Sequence, residues 1–260
     1  MTQQTSIIPE SLAYLSWGEK LYRRMRRSRR DKLTRIIRQA TGDVVADGPF
    51  VGMRLLPVSS WGDGDVAPKL LGSYEADLAP PLLEAVATQP KVAVVVGCAE
   101  GYYAVGLARL LPESRLHAYD SDSRAQNACR AAAEANGVAG RVTVGGTCSA
   151  AGLAEMVADQ TGLVVVDCEG CEAILLDGPA LPALRRSWII VECHDFLVPG
   201  VTELLSRRFA ATHAIQRIDE GPRDPNRLAL LRGWHSHDRW LAITEGRPIT
   251  MHWLVLRPLV

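Results

Sequence analysis

The sequence has no net charge: 29 Lys and Arg balance 29 Asp and Glu over 260 residues. A chain built throughout to grip a polyanion would not be balanced in this way. Aromatic residues are scarce, at 6%. They nowhere interleave with basic residues as in a stacking platform for single-stranded nucleic acid, so nucleic acid is not expected as a partner. No window approaches the roughly 18 consecutive apolar residues that span a bilayer. The first ten residues, Met1 to Glu10, lack the basic start and apolar stretch of a secretory leader, which points to a cytoplasmic protein. The six cysteines (98, 129, 148, 168, 171 and 193) are too sparse for a disulfide-stapled mini-domain and are expected to be reduced. Cys168-x-x-Cys171 has zinc-like and redox-like spacing, but no second pair completes a zinc site.

What is present is a segregation of charge and a change of pattern along the chain. Residues 20–38 hold ten Lys and Arg against one Asp, so the remainder carries nine compensating negative charges. Residues 9–40 read as a helix starting near Pro9 and stopping at Thr41-Gly42-Asp43, with apolar residues at near-helical spacing among the arginines. A lead-in segment covers 46–90, and residues 44–72 are rich in Gly and Pro. It offers two short extended candidates, Phe50–Leu56 and Val66–Leu71, then a helical stretch broken or restarted at Pro80-Pro81. From 91 to 260 strand and helix signals alternate. Val92–Val96 and Leu163–Val166 are continuous apolar runs, as expected for strands buried on both faces. The pattern predicts an α/β fold: a Rossmann-like, seven-stranded, mostly parallel sheet with helices on both faces, plus an N-terminal helical extension over 1–45. Ligands of such sheets lie beyond the carboxyl ends of the strands.

The first strand leads into Gly97-Cys98-Ala99-Glu100-Gly101-Tyr102-Tyr103, a tight turn into a helix. The dinucleotide spacing G-x-G-x-x-G is absent, and no G-K-[ST] follows, which excludes a Rossmann dinucleotide fingerprint and a phosphate loop. The second strand ends at Asp120, about twenty residues on, where a carboxylate can accept both hydroxyls of a ribose. The competing reading makes Asp120 a helix cap, although Asp122 fits that role better.

These residues, with Val165-Val166-Asp167-Cys168-Glu169-Gly170-Cys171-Glu172 and Val191-Glu192-Cys193-His194, resemble the FkbM family of class I methyltransferases. Gly48-Pro49-Phe50-Val51-Gly52-Met53 and Leu71-Gly72-Ser73-Tyr74-Glu75 resemble segments that precede the cofactor fold in related sequences. The resemblance covers residues 46–258. It implies S-adenosylmethionine as donor and an oxygen acceptor on a saccharide, lipid or secondary metabolite. It also implies cofactor contacts at Gly97, Cys98, Ala99, Glu100, Gly101 and Tyr102, at Asp120 and Ser121, at Thr147 and Cys148, and at Asp167. The sequence departs from the pattern at Val95, where relatives carry an acid that helps hold the methionine amino group; either Glu100 in the same turn or a water network is expected to take its place.

Strands four and five end abruptly in Asp167, Glu169 and Glu172, and in Glu192, His194 and Asp195. Methyl transfer needs a group that takes the acceptor's proton near neutral pH. His194 is the first candidate for that base, with Asp167 and Glu192 positioning the acceptor; alternatively His194 braces a loop. The same carboxylates could hold Mg²⁺ or Ca²⁺, against a metal-free acidic rim. Trp234 and Trp240 are candidates for the acceptor pocket or for core packing. The basic helix is either a solvated face that packs on the domain or on another subunit, or a contact for an anionic membrane surface, RNA or an acidic partner. An RNA methyltransferase and a non-catalytic nucleoside-binding scaffold are the alternatives to a small-molecule O-methyltransferase.

Overall fold

A computed structural model describes residues 16–57, 65–158, 160–247 and 249–259. Seven strands form one sheet: β1 (Val92–Val96), β2 (Arg115–Tyr119), β3 (Val142–Gly145), β4 (Gly162–Val166), β5 (Ser187–Glu192), β6 (His213–Asp219) and β7 (His252–Pro258). Their order is β3-β2-β1-β4-β5-β7-β6. The first five are parallel, and β7 runs antiparallel to β5 and β6. The chain reverses direction in sheet order at β1, which puts the switch point between β1 and β4.

The apolar runs are explained by two cores. Ala93, Val95, Leu163, Val165, Trp188 and Ile190 point to one face, while Val94, Val164, Val166, Ile189 and Val191 point to the other. Neighbouring positions alternate between faces, so strands covered by helices on both sides must be apolar throughout.

The helices are α1 (Trp17–Thr41), α2 (Val66–Leu71), α3 (Ala79–Ala87), α4 (Tyr102–Leu110), α5 (Ser123–Ala135), α6 (Ala150–Val157), α7 (Glu172–Leu175), α8 (Ala180–Ala183), α9 (Val201–Phe209) and α10 (Ser236–Ala242). The first begins at Trp17 rather than at Pro9, which lies outside the described residues. Ser16 and Glu19 close a reciprocal capping box that satisfies the first free amides. It ends as expected, with Gly42 left-handed (φ +62°) and its N–H on Arg38.

The lead-in departs from expectation twice. Val66–Leu71 is a helix, not a strand: the Asp65 carbonyl accepts Lys69 N–H at 3.1 Å, and Pro68 sits in the first turn, where no amide partner is needed. Its residues from Ala67 to Leu71 are all buried, Lys69 included, so a short helix buried on nearly every side showed no helical period to set it apart from a strand. Phe50–Leu56 is a turn at Phe50 to Gly52 followed by irregular chain, holding a single bridge between Val44 and Arg54. There Phe50 plugs the core edge-on to Tyr102, centroids 5.0 Å apart, over Gly106, whose missing Cβ makes room for the ring. Pro80-Pro81 restarts the chain as α3 after a 3-10 turn at Ala76–Leu78. No helix among the described residues is long and apolar enough to cross a membrane.

Candidate active site

The turn after β1 is held by backbone. Gly97 and Cys98 both donate to the Tyr119 carbonyl at the end of β2, at 2.8 and 2.9 Å. Gly97 (φ +84°) lies so close to the Asp167 carbonyl that any Cβ would overlap it, and a Cβ on Gly101 (φ +95°) would meet Cys129 and Val105 at 3.2 Å. The two glycines are thus required first by packing. Asp120, 7% exposed, accepts Ala99 N–H on one oxygen and Asp122 N–H on the other, each at 2.9 Å. A carboxylate has about four acceptor sites, so both oxygens keep capacity for a ligand. Asp122 caps α5 through Arg124 N–H, as its position suggested.

A cavity of about 840 Å³ opens over the carboxyl ends of β1, β2, β4 and β5. Gly97, Ala99, Glu100, Asp120, Ser121, Thr147, Cys148 and Asp167 line it, and so do Glu192 and His194. Three of the expected cofactor residues do not. Cys98 turns to Cys129, Gly101 packs on that same cysteine, and Tyr102 is buried among Phe50, Tyr74 and Tyr103. Trp234 packs against the core, Trp240 is exposed, and neither lines the cavity.

The far end of the cavity is a cluster of charges. His194, 2% exposed, is fixed by Nδ1 against Glu172 Oε1 at 2.5 Å. Its Nε2 faces Glu169 at 3.3 Å, Asp167 at 3.7 Å and Glu192 at 4.0 Å. Asp167, Glu192 and His194 each present one ligand atom, all within 4.8 Å of one another, an arrangement that could hold a divalent ion. Burial, then the charges of Asp167 and Glu75, pushes Glu192 up to about 11 against the opposing pull of Arg247. Asp167 is pushed up to about 6 by burial and by Glu75. For His194 burial pulls downward, but the Glu172 hydrogen bond and the Asp167, Glu172 and Glu169 charges outweigh it and raise the imidazole.

Several residues that build this site were not singled out from sequence as part of it. Arg247 bridges Glu192 (2.5 Å), Glu75 (2.6 Å) and Glu245 (3.1 Å) and stacks over Trp253 at 4.7 Å. Arg223 holds Glu245 at 3.0 Å, and Tyr103 donates to Glu75. Lys69, from α2, lines the cavity, pairs with Glu100 and sits 4.6 Å over the Tyr74 ring. Glu100 is therefore already engaged by a cation in the wall of the site. Glu75, in left-handed backbone (φ +47°), was visible only as part of a lead-in segment.

One expectation about cysteine is overturned. Cys168 and Cys171 form a disulfide in the cavity wall, because the turn between β4 and α7 brings their Cα atoms to 5.5 Å, within bonding reach. Cys98, Cys129, Cys148 and Cys193 are free thiols.

No family model matches the chain, and no curated protein does. Among solved structures it is similar to an O-methyltransferase from Bacillus cereus in complex with S-adenosylhomocysteine, at 14% identity and TM-score 0.46, covering 88% of this chain and 91% of that one. It is also similar to the O-methyltransferase TomG from Streptomyces achromogenes in complex with S-adenosylmethionine, at 16% identity and TM-score 0.45 over 69% and 80%. Cofactor-bound Rv0187 from MTB is similar at 18% identity and TM-score 0.45 over 68% and 78%. Likeness at this level carries no argument about this chain; its own residues do.

Proposed function

We propose that the chain is an S-adenosylmethionine-dependent methyltransferase acting on an oxygen of a small molecule, with saccharides and secondary metabolites as the acceptor class and the FkbM family as its kin. One observation carries the reading: a single cavity joins the amide-organised Asp120 and glycine turn to the Asp167–Glu192–His194 cluster. About 840 Å³ falls in the ~300–1,000 Å³ range of small-molecule sites and leaves room for a nucleoside and a modest acceptor.

The donor set suits a sulfonium nucleoside. The walls are rich in carboxylates, which favour a cation. Asp120 would hold the ribose hydroxyls, with Ser121, Thr147 and Cys148 beside the base. When bound, the sulfonium supplies an electrophilic methyl group and a neutral leaving group. The chain's part is to hold the acceptor oxygen in line and remove its proton.

For that step we assign the base to Asp167. It is 36% exposed to the cavity and ionised above about pH 6, whereas His194 is buried in a ring of carboxylates that favours its charged form. Glu192 and His194 then keep Asp167 oriented. The common point of the three ligand atoms supports a second route, in which a divalent ion acidifies the acceptor hydroxyl. The acid-lined cavity is unsuited to a polyanionic acceptor, which weighs against RNA.

The test is transfer of a labelled methyl group to metabolite and glycan extracts, with and without a chelator. A labelled product with unchanged rate assigns the proton to Asp167; a chelator-sensitive rate assigns it to an ion. No product, together with no heat on titrating S-adenosylhomocysteine, would leave the scaffold reading in place.

A further inference from the structure

The first three turns of α1 are unlike the rest of the molecule. Every residue from Trp17 to Arg29 is exposed, and only Leu33 and Ile37 of the helix are buried. Trp17 is 79% exposed, Met25 63%, Tyr22 61% and Leu21 40%. At 3.6 residues per turn, Trp17, Leu21 and Met25 stack at i, i+4 spacing, with Tyr22 on their flank. The far side of the same turns carries Arg23, Arg26, Arg27 and Arg30, and Lys20 and Arg24 flank the stripe on the edge away from Tyr22. Lys20, Arg24, Arg26 and Arg27 have no ion-pair partner among the described residues.

Such a helix is amphipathic without being hydrophobic, and it presents both faces to water. We infer that α1 docks on an anionic lipid surface, its Trp17–Leu21–Met25 stripe entering the headgroup boundary and its basic face meeting lipid phosphates. Charge complementarity selects this occupant: helices with Lys and Arg on one face and Trp or Leu on the other lie in the interface plane, and local positive charge draws them to anionic leaflets. Pairing with the same helix of a second copy would bring two strongly positive segments within a Debye length. A nucleic acid would use the arginines but leave Leu21 and Met25 in water. The helix is fixed to the body through Leu33 and Ile37 and through the Arg29–Asp238 ion pair with α10, so docking need not disturb the sheet. The inference is independent of the methyltransferase reading.

The test is co-sedimentation of the full chain with vesicles of phosphatidylcholine alone or with about one third phosphatidylglycerol. Binding to the mixed vesicles at least about tenfold tighter than to the neutral ones is expected, weakening steeply between about 0.05 and 0.5 M salt. The triple variant Trp17→Ser/Leu21→Ser/Met25→Ser keeps every charge; it should bind at least about tenfold more weakly while its circular dichroism and thermal midpoint stay unchanged. Absence of binding to the anionic vesicles overturns the inference. So does full retention by the triple variant, which would make the contact purely electrostatic, as for RNA. A dimer in sedimentation that the triple variant abolishes, with no vesicle binding, overturns it in favour of a second copy.

Discussion

The two ends of the cavity are built in opposite ways. At the β1–β2 end, polar groups are settled by nearby backbone: Asp120 takes two amides, one from the glycine turn and one from two residues on, and the turn donates to Tyr119. At the β4–β5 end, buried charges are settled mainly by other charges, brought from four separate stretches: Glu75 from the lead-in, Asp167 to Glu172, Glu192 and His194, and Glu245 with Arg247; Tyr103 and the amides of Gly170 and Glu75 add hydrogen bonds to Glu75, Glu172 and Glu245. The first end holds its shape whatever binds. The second is an electrostatic balance in which changing one member shifts the others, and it is here that carboxyl groups leave their ordinary range.

The sharpest way to break this contrast is at Asp167. Asp167→Asn should lower the rate by about 10²–10⁴, the usual worth of a positioned base, while leaving nucleoside affinity nearly unchanged. The wild-type rate should rise with pH through about 6, because Asp167 accepts a proton only once it has lost its own. The Asn variant should be flat across that window. A pH–rate profile of the wild type that ignores this interval would remove Asp167 as the base.

Arg247 tests the balance itself. Arg247→Met leaves Glu75, Glu192 and Glu245 buried around an apolar side chain, and one-sided removal of a buried ion-pair partner costs about 3–5 kcal/mol. Urea unfolding should detect a loss of that size. A loss under about 1 kcal/mol would mean that the acids simply take up protons and the network is not a balance of charges.

The backbone-held end should respond to shape instead. Gly97→Ala forces a Cβ into the Asp167 carbonyl at φ +84°, and strain plus overpacking should cost about 2–4 kcal/mol. Gly101→Ala meets Cys129 Sγ and Val105 at 3.2 Å and the Cys129 Cα at 3.3 Å, far looser contacts than at Gly97, and should cost less, nearer the ~1–2 kcal/mol of left-handed strain alone. Equal thermal shifts in the two variants would show that contact with β4 is not what demands the first glycine.

The same division decides what could be read from the sequence. The sheet was legible because each strand is a local run with a fixed period, and Val92–Val96 is a strand at the bounds its apolar run predicts. The glycine turn and Asp120 were legible because their partners lie within about 25 positions. Glu75, Glu245 and Arg247 were not, since nothing local distinguishes a charge destined for burial from one on the surface. Their meaning arises only when α2, the turn after it and the segment before β7 meet over the sheet. Val66–Leu71 was misread for a related reason: a six-residue segment, apolar but for Lys69, shows no period when nearly every side is buried. The Cys168–Cys171 bond was missed because spacing alone says nothing about the turn that draws the two Cα atoms together.

The mildest test returns to the settled end. Asp120→Asn keeps the shape but replaces one acceptor oxygen by an NH₂ that faces a backbone N–H, either Ala99 or Asp122. The side chain then serves one amide and offers a ribose hydroxyl one good acceptor instead of two. Calorimetric titration with S-adenosylhomocysteine should show affinity weakened by about 1.5–3 kcal/mol, the scale of a hydrogen bond to a charged group. Urea stability should fall by less than that, because the glycine turn keeps its two bonds to Tyr119. Unchanged affinity with reduced stability would reverse the assignment, leaving Asp120 as a brace for the turn and moving the sugar elsewhere in the cavity.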